Sequence, residues 1–276
     1  MEGYAYYNGK IGRCDDISIP LTDRLIYFGD GVYDVITGHS GRLFLADDHL
    51  DRLFYGMKFL GIIHNFTKDY LLSLIYKLIH ISKYKSYLIY ISCSRSANER
   101  HHSYIDFTST NLLITIKEFC PPKYAPLRLI TTRDDRYNYC NIKTVNLLPA
   151  VLASTSAETH GCDEAVFVTD EIVTECAHSN IFIIQNGKLV THPESNRILP
   201  GIIRKYVIKT AAEFNIPIIE RGFTISEMLS ADEIIVTSTT RLAECVGFIN
   251  GKAVGGKNPV LLSMIKRKLK NSYQNI

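Results

Sequence analysis

Three prolines within seven residues, "CPPKYAP" from Cys120 to Pro126, constrain this chain more than any other feature. Proline fixes its own φ and has no N–H to donate, so neither a helix nor an interior strand runs through such a stretch. The chain is divided there. At 276 residues it is long for one compact core and natural for two modest domains. The division gives an N-terminal domain over 1–118, a linker over 119–126 and a C-terminal domain over 127–276.

The first part mixes strands and helices. "YAYYNGKIG" and "GRLFLA" have the alternation and turn residues of short strands. "DDHLDRLFYGMKFLGI" sets Leu50, Leu53, Phe54, Met57 and Leu60 on one helical face, with Asp47 or Asp48 as the N-cap. "KDYLLSLIYKLIHI" repeats the helical pattern, while "SYLIYISCSR" and "NLLITIKEF" read as buried strands. The second part opens with the strand "LRLITT". "EAVFVTDEIVTECAHSNIFIIQNGKLVTH" then reads as antiparallel strands with a two-residue turn in "QNGK". "GIIRKYVIKTAAEFN" is a helix reached through Pro200 and Gly201, and "ADEIIVTSTT" is a strand ending in hydroxyls. The basic end "IKRKLKN" belongs to an amphipathic helix with Leu261, Leu262, Met264, Ile265 and Leu269 at helical spacing.

Composition excludes several function classes. A net charge of +3 is too small to argue for nucleic acid or an acidic membrane surface. The seven cysteines are scattered, odd in number and never spaced C-x-x-C, which argues against a disulfide framework or a structural zinc site and fits a reducing compartment. The N-terminus lacks the apolar core of a signal peptide, and no run approaches membrane-spanning length. The expectation is a cytoplasmic protein.

The chemistry centres on "NIKTVNLLPAVLAS". One ammonium, Lys143, stands at the mouth of an apolar segment whose Leu147, Leu148, Ala150, Val151, Leu152 and Ala153 read as the start of a buried helix. A solvated lysine at a strand end is the plain alternative. A lysine whose work runs through the neutral amine is the other. Four further places bear on the choice. Glu175 follows a β-branched strand, either pointing inward or ending the strand in water. "RILPGIIRKYV" turns onto a helix start, where the free N–H groups of Gly201, Ile202 and Ile203 suit an anion. "VTSTTR" clusters Ser238, Thr239 and Thr240 at a strand end, and Arg52 lies on the polar side of its helix, where solvation is the default. Together, a lysine, an acid and several anion donors are the parts that pyridoxal phosphate requires: an amine for the Schiff base, a carboxylate for the pyridinium nitrogen, and amides with hydroxyls for the phosphate.

"DRLIYFGDGVYDVI", "HLDRL", "NIKTVNLLPAVLA", "VTECAHSNIF", "ILPGIIR" and "TSTT" resemble, in order and spacing over nearly the whole chain, the fold-type IV pyridoxal-phosphate enzymes. That family includes D-amino-acid aminotransferases, branched-chain aminotransferases and aminodeoxychorismate lyases. The resemblance implies a two-domain α/β (α+β) fold: a small N-terminal α/β domain, and a larger C-terminal domain with a mainly antiparallel, barrel-like sheet. It implies Lys143 as the Schiff-base lysine, Glu175 beside the pyridine nitrogen and Arg52 on the phosphate. It further implies Ile202, Ile203, Ser238 and Thr239 around that phosphate, Leu199 against the ring, and Arg136 near the cofactor's phenolic oxygen. It also implies a homodimer.

The substrate expectation rests on "SRSANERHHSYI". In an extended segment Arg100 and His102 point to one face and His101 to the other. Two such donors clamp a carboxylate. D-amino-acid aminotransferases carry an arginine-x-histidine carboxylate trap here, reached across the dimer, and Tyr33 matches the tyrosine that completes it. The chain departs from the family at Ile203, where a threonine is usual, and at Asp34, where a glutamate is more common. It departs also at Glu99, where a proline is usual, and in "ECAHSN", closer to the lyases at Cys176 and Ala177. The reading is transamination between a D-amino acid, of the D-alanine or D-glutamate type, and a 2-oxo acid. A branched-chain L-aminotransferase or an aminodeoxychorismate lyase is the alternative. A silent ligand-binding relative is weakest, since such a protein has no need to retain both lysine and acid.

Overall fold

A computed structural model describes residues 3–104, 109–121 and 125–276. Pro122, Lys123 and Tyr124 of the proline-rich segment, and Ile105 after the arginine–histidine segment, lie outside the described residues. The chain forms two compact units: residues 1–120 with Ile142–Asn146 and Ile276, and Pro121–Asn141 with Leu147–Asn275. The five residues around Lys143 thus group with the first unit, although they follow the prolines in the chain.

The first unit runs β1 (Tyr4–Tyr7), β2 (Lys10–Arg13), α1 (Arg24–Phe28), β3 (Gly31–His39), β4 (Arg42–Leu43), α2 (Ala46–Phe59), α3 (Lys68–Ser82), β5 (Ser86–Ser94) and β6 (Asn111–Glu118). Its strands form one antiparallel sheet in the order β2-β1-β6-β5-β3-β4. Leu50, Leu53 and Met57 from α2 and Leu71, Ile75 and Leu78 from α3 are buried with Ile36, Ile89, Ile91 and Ile114 of the sheet. Side chains of this size each contribute roughly 1.5–3 kcal/mol on leaving water, and the spacings along α2 and α3 are those of one helical face. The start of α2 differs from expectation. Leu45, in the left-handed conformation at φ 52°, holds the cap position with no side-chain hydrogen bond, and Asp47 and Asp48 fall in the first turn. There they favour the helix dipole instead of capping an N–H.

The second unit runs β7 (Leu127–Arg133), α4 (Leu148–Thr159), β8 (Glu164–Thr169), β9 (Ile172–Cys176), β10 (Asn180–Gln185), β11 (Lys188–Thr191), α5 (Ile202–Glu213), β12 (Ile218–Glu220), β13 (Phe223–Thr224), α6 (Ile225–Ser230), β14 (Glu233–Ser238), β15 (Leu242–Ile249), β16 (Lys252–Ala253) and α7 (Pro259–Gln274). Its strands form a curled, half-barrel sheet in the order β12-β11-β10-β14-β15-β7-β8-β9-β13, with β16 on β15. Most pairs are antiparallel; β7–β8, β7–β15 and β11–β12 are parallel. The hairpin between β10 and β11 turns at Asn186 and Gly187, both at positive φ, as the "QNGK" pattern requires. Ile265 and Leu269 anchor α7.

The helix after Lys143 is not buried. Leu148, Val151 and Leu152 are 64%, 54% and 62% exposed, and only Ala153 and Ala157 of α4 are buried. The helix seats its small alanine side chains against Ala165 and Phe167, so its bulky residues face outward.

Candidate active site

Lys143 is positioned by backbone pairing within the first unit. Tyr33 N donates to the Lys143 carbonyl at 2.9 Å, Val145 N donates to Gly31 O at 3.3 Å, and Val32 bridges Thr144. The segment is tied at its end by Asn146, whose Nδ2 donates to Gly29 O at 3.0 Å. Gly29 has φ 58°, and a Cβ there would lie 2.6 Å from Asn146 Oδ1, so both the backbone conformation and the close approach call for glycine. The half-buried Lys143 extends its Nζ over the Tyr33 ring, 4.3 Å from the centroid, and that ring stacks on Tyr90 at 5.2 Å.

Arg52 is not solvated. Its Nε donates to Asp34 Oδ2 at 2.8 Å and its Nη2 to Oδ1 at 2.9 Å, in the bidentate fork that suits a carboxylate. Asp34 also accepts from His49 Nδ1 at 2.7 Å and from its neighbour's amide, Val35 N, at 2.8 Å. Burial alone would raise the Asp34 carboxyl, but Arg52 and His49 outweigh it and hold the group well below the usual carboxylate range. Burial lowers His49, so the neutral ring donates from Nδ1. Its Nε2 is buried without a hydrogen-bond partner among the described residues. Asp34 therefore orients the arginine of "HLDRL". No side-chain role for His49 was assigned from the sequence, because His49 and Asp34 are 15 residues apart, one on α2 and one on β3.

Arg100 and His102 lie in a segment that bends and is not a strand. Both lie against Phe28, the Arg100 guanidinium 5.4 Å and the His102 ring 5.3 Å from its ring centroid.

In the second unit the acid is buried, not in water. Glu175 is 4% exposed and accepts from Arg136 Nη1 at 2.5 Å, Asn180 Nδ2 at 2.9 Å and Leu199 N at 3.1–3.2 Å. Burial pushes its carboxyl up to about 7 despite the Arg136 charge. Arg136 is itself clamped by Asp134, from Nε at 2.9 Å and Nη2 at 2.8 Å, and lies over the Phe167 ring at 4.2 Å. Asn180 is the residue that sequence reasoning missed. It stands in "HSNIF", but its role appears only in three dimensions. Its Nδ2 bridges Glu175 and the Leu199 carbonyl, and its backbone pairs with Thr237 of β14. A Cβ on Gly201 would lie 2.0 Å from Asn180 Oδ1, so glycine is the residue this approach admits. One residue thus joins the acid, the Leu199 carbonyl before α5 and the end of β14.

At that start, Gly201 caps α5 with no side-chain hydrogen bond, and the N–H groups of Ile202 and Ile203 meet no backbone acceptor among the described residues. Both isoleucine side chains are buried, at 7% and 1% exposure, which leaves their amides as the groups available to an anion. Ser238 Oγ accepts from Arg241 N at 3.2 Å and lies 3.4 Å from Thr240 Oγ1. This donor set fits pyridoxal phosphate: amides and hydroxyls for its phosphate, and a carboxyl near neutrality for its ring nitrogen. Among the described residues no group of His, Cys, Asp and Glu side chains suits a metal ion, and no helix is long and apolar enough to cross a membrane.

The second unit offers a buried acid with its arginine and an open helix start, and the first a lysine beside a tyrosine; each set suits the chemistry of pyridoxal phosphate. The profile of the amino-transferase class IV family matches residues 31–245, and the chain belongs to that family of pyridoxal-phosphate-dependent aminotransferases. It is 33% identical over 253 residues to a D-alanine aminotransferase of Staphylococcus epidermidis, covering 90% of each chain. The fold superposes on the Escherichia coli branched-chain amino acid aminotransferase with a TM-score of 0.90 at 21% identity, over 99% of this chain and 95% of that one. It superposes on a putative 4-amino-4-deoxychorismate lyase of Legionella pneumophila with a TM-score of 0.86 at 24% identity, over 93% and 96%. Those two likenesses show the fold; the family profile carries the aminotransferase class.

Proposed function

We propose that this chain is a D-amino-acid transaminase that moves an amino group between a D-amino acid of the D-alanine or D-glutamate type and a 2-oxo acid. The observation that supports it best is the convergence of Arg100 and His102 on one phenyl ring, which makes a single donor face for a carboxylate. The Staphylococcus epidermidis relative, named a D-alanine aminotransferase, supports the same choice. When bound, the cofactor supplies an aldehyde that takes up the amino group and a ring that accepts electrons from the substrate's α-carbon. Lys143 Nζ carries the cofactor covalently and then moves the α-proton. Glu175 would hold a proton at the ring nitrogen, with Arg136 keeping that acid oriented, and Leu199 would lie against the ring. Arg52 would bind the phosphate, for which the amides of Ile202 and Ile203 and the hydroxyls of Ser238 and Thr239 are the other proposed donors. Tyr33 completes the carboxylate trap of Arg100 and His102.

The steady-state test supplies the loaded protein with D- and L-amino acids in parallel, each with a 2-oxo acid. D-alanine and D-glutamate are expected to turn over. Robust turnover of L-leucine or L-isoleucine with none of D-alanine would make the chain a branched-chain enzyme, and pyruvate release from aminodeoxychorismate without amino transfer would make it a lyase.

Glu175→Gln is expected to retain cofactor, because Asn180 and Leu199 N still meet a carbonyl oxygen, and to slow the chemical step by about two orders of magnitude. Single-turnover kinetics check this; an unaltered rate would leave Glu175 a structural acid.

The working unit is a homodimer in the cytoplasm. The outward Leu147, Leu148, Val151 and Leu152 of the α4 region form an apolar face that a second copy would cover, and the seven cysteines are all free thiols. Sedimentation is expected to give twice the chain mass of 31.3 kDa. An active species at the single-chain mass would contradict it.

A further inference from the structure

We infer that Arg24 is a positioning residue for recognition of the substrate's carboxylate, an assignment that rests on the carboxylate-trap reading of Arg100 and His102. The side chain of Arg24 is 4% exposed, yet its fork is not spent on carboxylates alone. Nη1 donates to the His101 carbonyl at 2.5 Å and Nη2 to the His102 carbonyl at 3.1 Å, while Nε donates to Asp30 Oδ2 at 2.7 Å. Two successive carbonyls held by one planar guanidinium fix the backbone from which His102 projects and which Arg100 immediately precedes. The same guanidinium lies over the Phe28 ring at 4.5 Å. Phe28 therefore carries Arg24, Arg100 and His102 on one aromatic group, so that the anchor and the two donors are placed against a common reference.

Asp30 also accepts from Arg95 Nε at 3.0 Å, so two guanidinium charges meet one carboxylate next to this segment. Arg95 spends its remaining fork on the carbonyls of Leu60 and Gly61, which are dipoles without net charge. Because Arg95 stays on Asp30, removing Arg24 leaves no unpaired buried carboxylate, and the unit keeps its fold. Lysine in its place retains charge but has no planar fork to hold two carbonyls at once.

The experiment measures the half-reaction of the cofactor-loaded enzyme with D-alanine, which separates the apparent dissociation constant from the limiting rate, for Arg24→Ala, Arg24→Lys and Arg100→Ala. Arg24→Ala is expected to raise the dissociation constant about tenfold, the loss of one charge-assisted contact set, with the limiting rate within about twofold and the cofactor spectrum unchanged. Arg24→Lys is expected to raise it to an intermediate degree, and it decides the matter alone should the alanine variant not fold. A steep rise in Arg100→Ala with no rise in either Arg24 variant would overturn the positioning role while leaving the trap intact. A fall in limiting rate with an unchanged dissociation constant would overturn it as well. No rise in Arg100→Ala would remove the trap itself, and the assignment of Arg24 with it.

Discussion

Lys143→Ala is expected to abolish transamination, by at least about 10⁴-fold, because covalent attachment of the cofactor and the proton carrier are lost in one step. The loss should be chemical and not structural. The Lys143 side chain is half-buried against Tyr33, and the segment is held by its backbone bonds to Tyr33 N and Gly31 O and by Asn146, none of which involves Nζ. Melting temperatures of variant and parent should agree. Borohydride reduction of the loaded parent should leave the cofactor on the peptide containing Lys143. An adduct on a different lysine, or turnover surviving the substitution, would remove Lys143 from its proposed role.

The second large effect is expected from Asp34→Asn. The carboxylate accepts from both Arg52 nitrogens and from the buried His49, so its neutral replacement strands a guanidinium at the site where phosphate binding is proposed. Breaking a buried pair of this kind costs about 3–5 kcal/mol, which at this size is a fall in melting temperature of roughly 10 °C. The pH dependence has a definite sign. Arg52 and His49 overcome burial and depress the Asp34 carboxyl, so its contribution is present above the unfolded value, near 4, and is lost as pH falls through the depressed one. The gap in stability between parent and variant should therefore be full at neutral pH and close on acidification. A constant gap down to strongly acidic pH, or no gap at pH 7, would contradict the network. Weaker retention of cofactor should accompany it, since Arg52 loses the group that aims it.

Residues adjacent in sequence were legible; those joined across elements were not. Lys143, Glu175 and "ILPGIIR" stood out as candidates because each carries its chemistry inside one short motif. The apolar run 147–153 identified a helix but not its environment, since periodicity cannot say whether an apolar face meets its own chain: α4 seats only Ala153 and Ala157 and turns Leu148, Val151 and Leu152 outward. Asp47 and Asp48 looked like caps because acids cluster at helix starts both as caps and as dipole partners, and only the left-handed Leu45 separates the two. Arg52 looked solvated because its partner lies on β3, and Arg24 drew no notice because the carbonyls it holds are 77 and 78 residues away. Backbone acceptors have no signature in sequence at all. Asn180 stands between these cases: its motif was plain, and its work, joining Glu175 to the start of α5, follows only from the pairing of β10 with β14.

The most direct measurement is one half-reaction. Loaded enzyme without any 2-oxo acid is mixed with D-alanine, and the cofactor's visible band and pyruvate are followed together. The account predicts loss of the band with one pyruvate released per site and then no more, and no such response to L-leucine. Release of one equivalent of 2-oxo acid from L-leucine with none from D-alanine would contradict it.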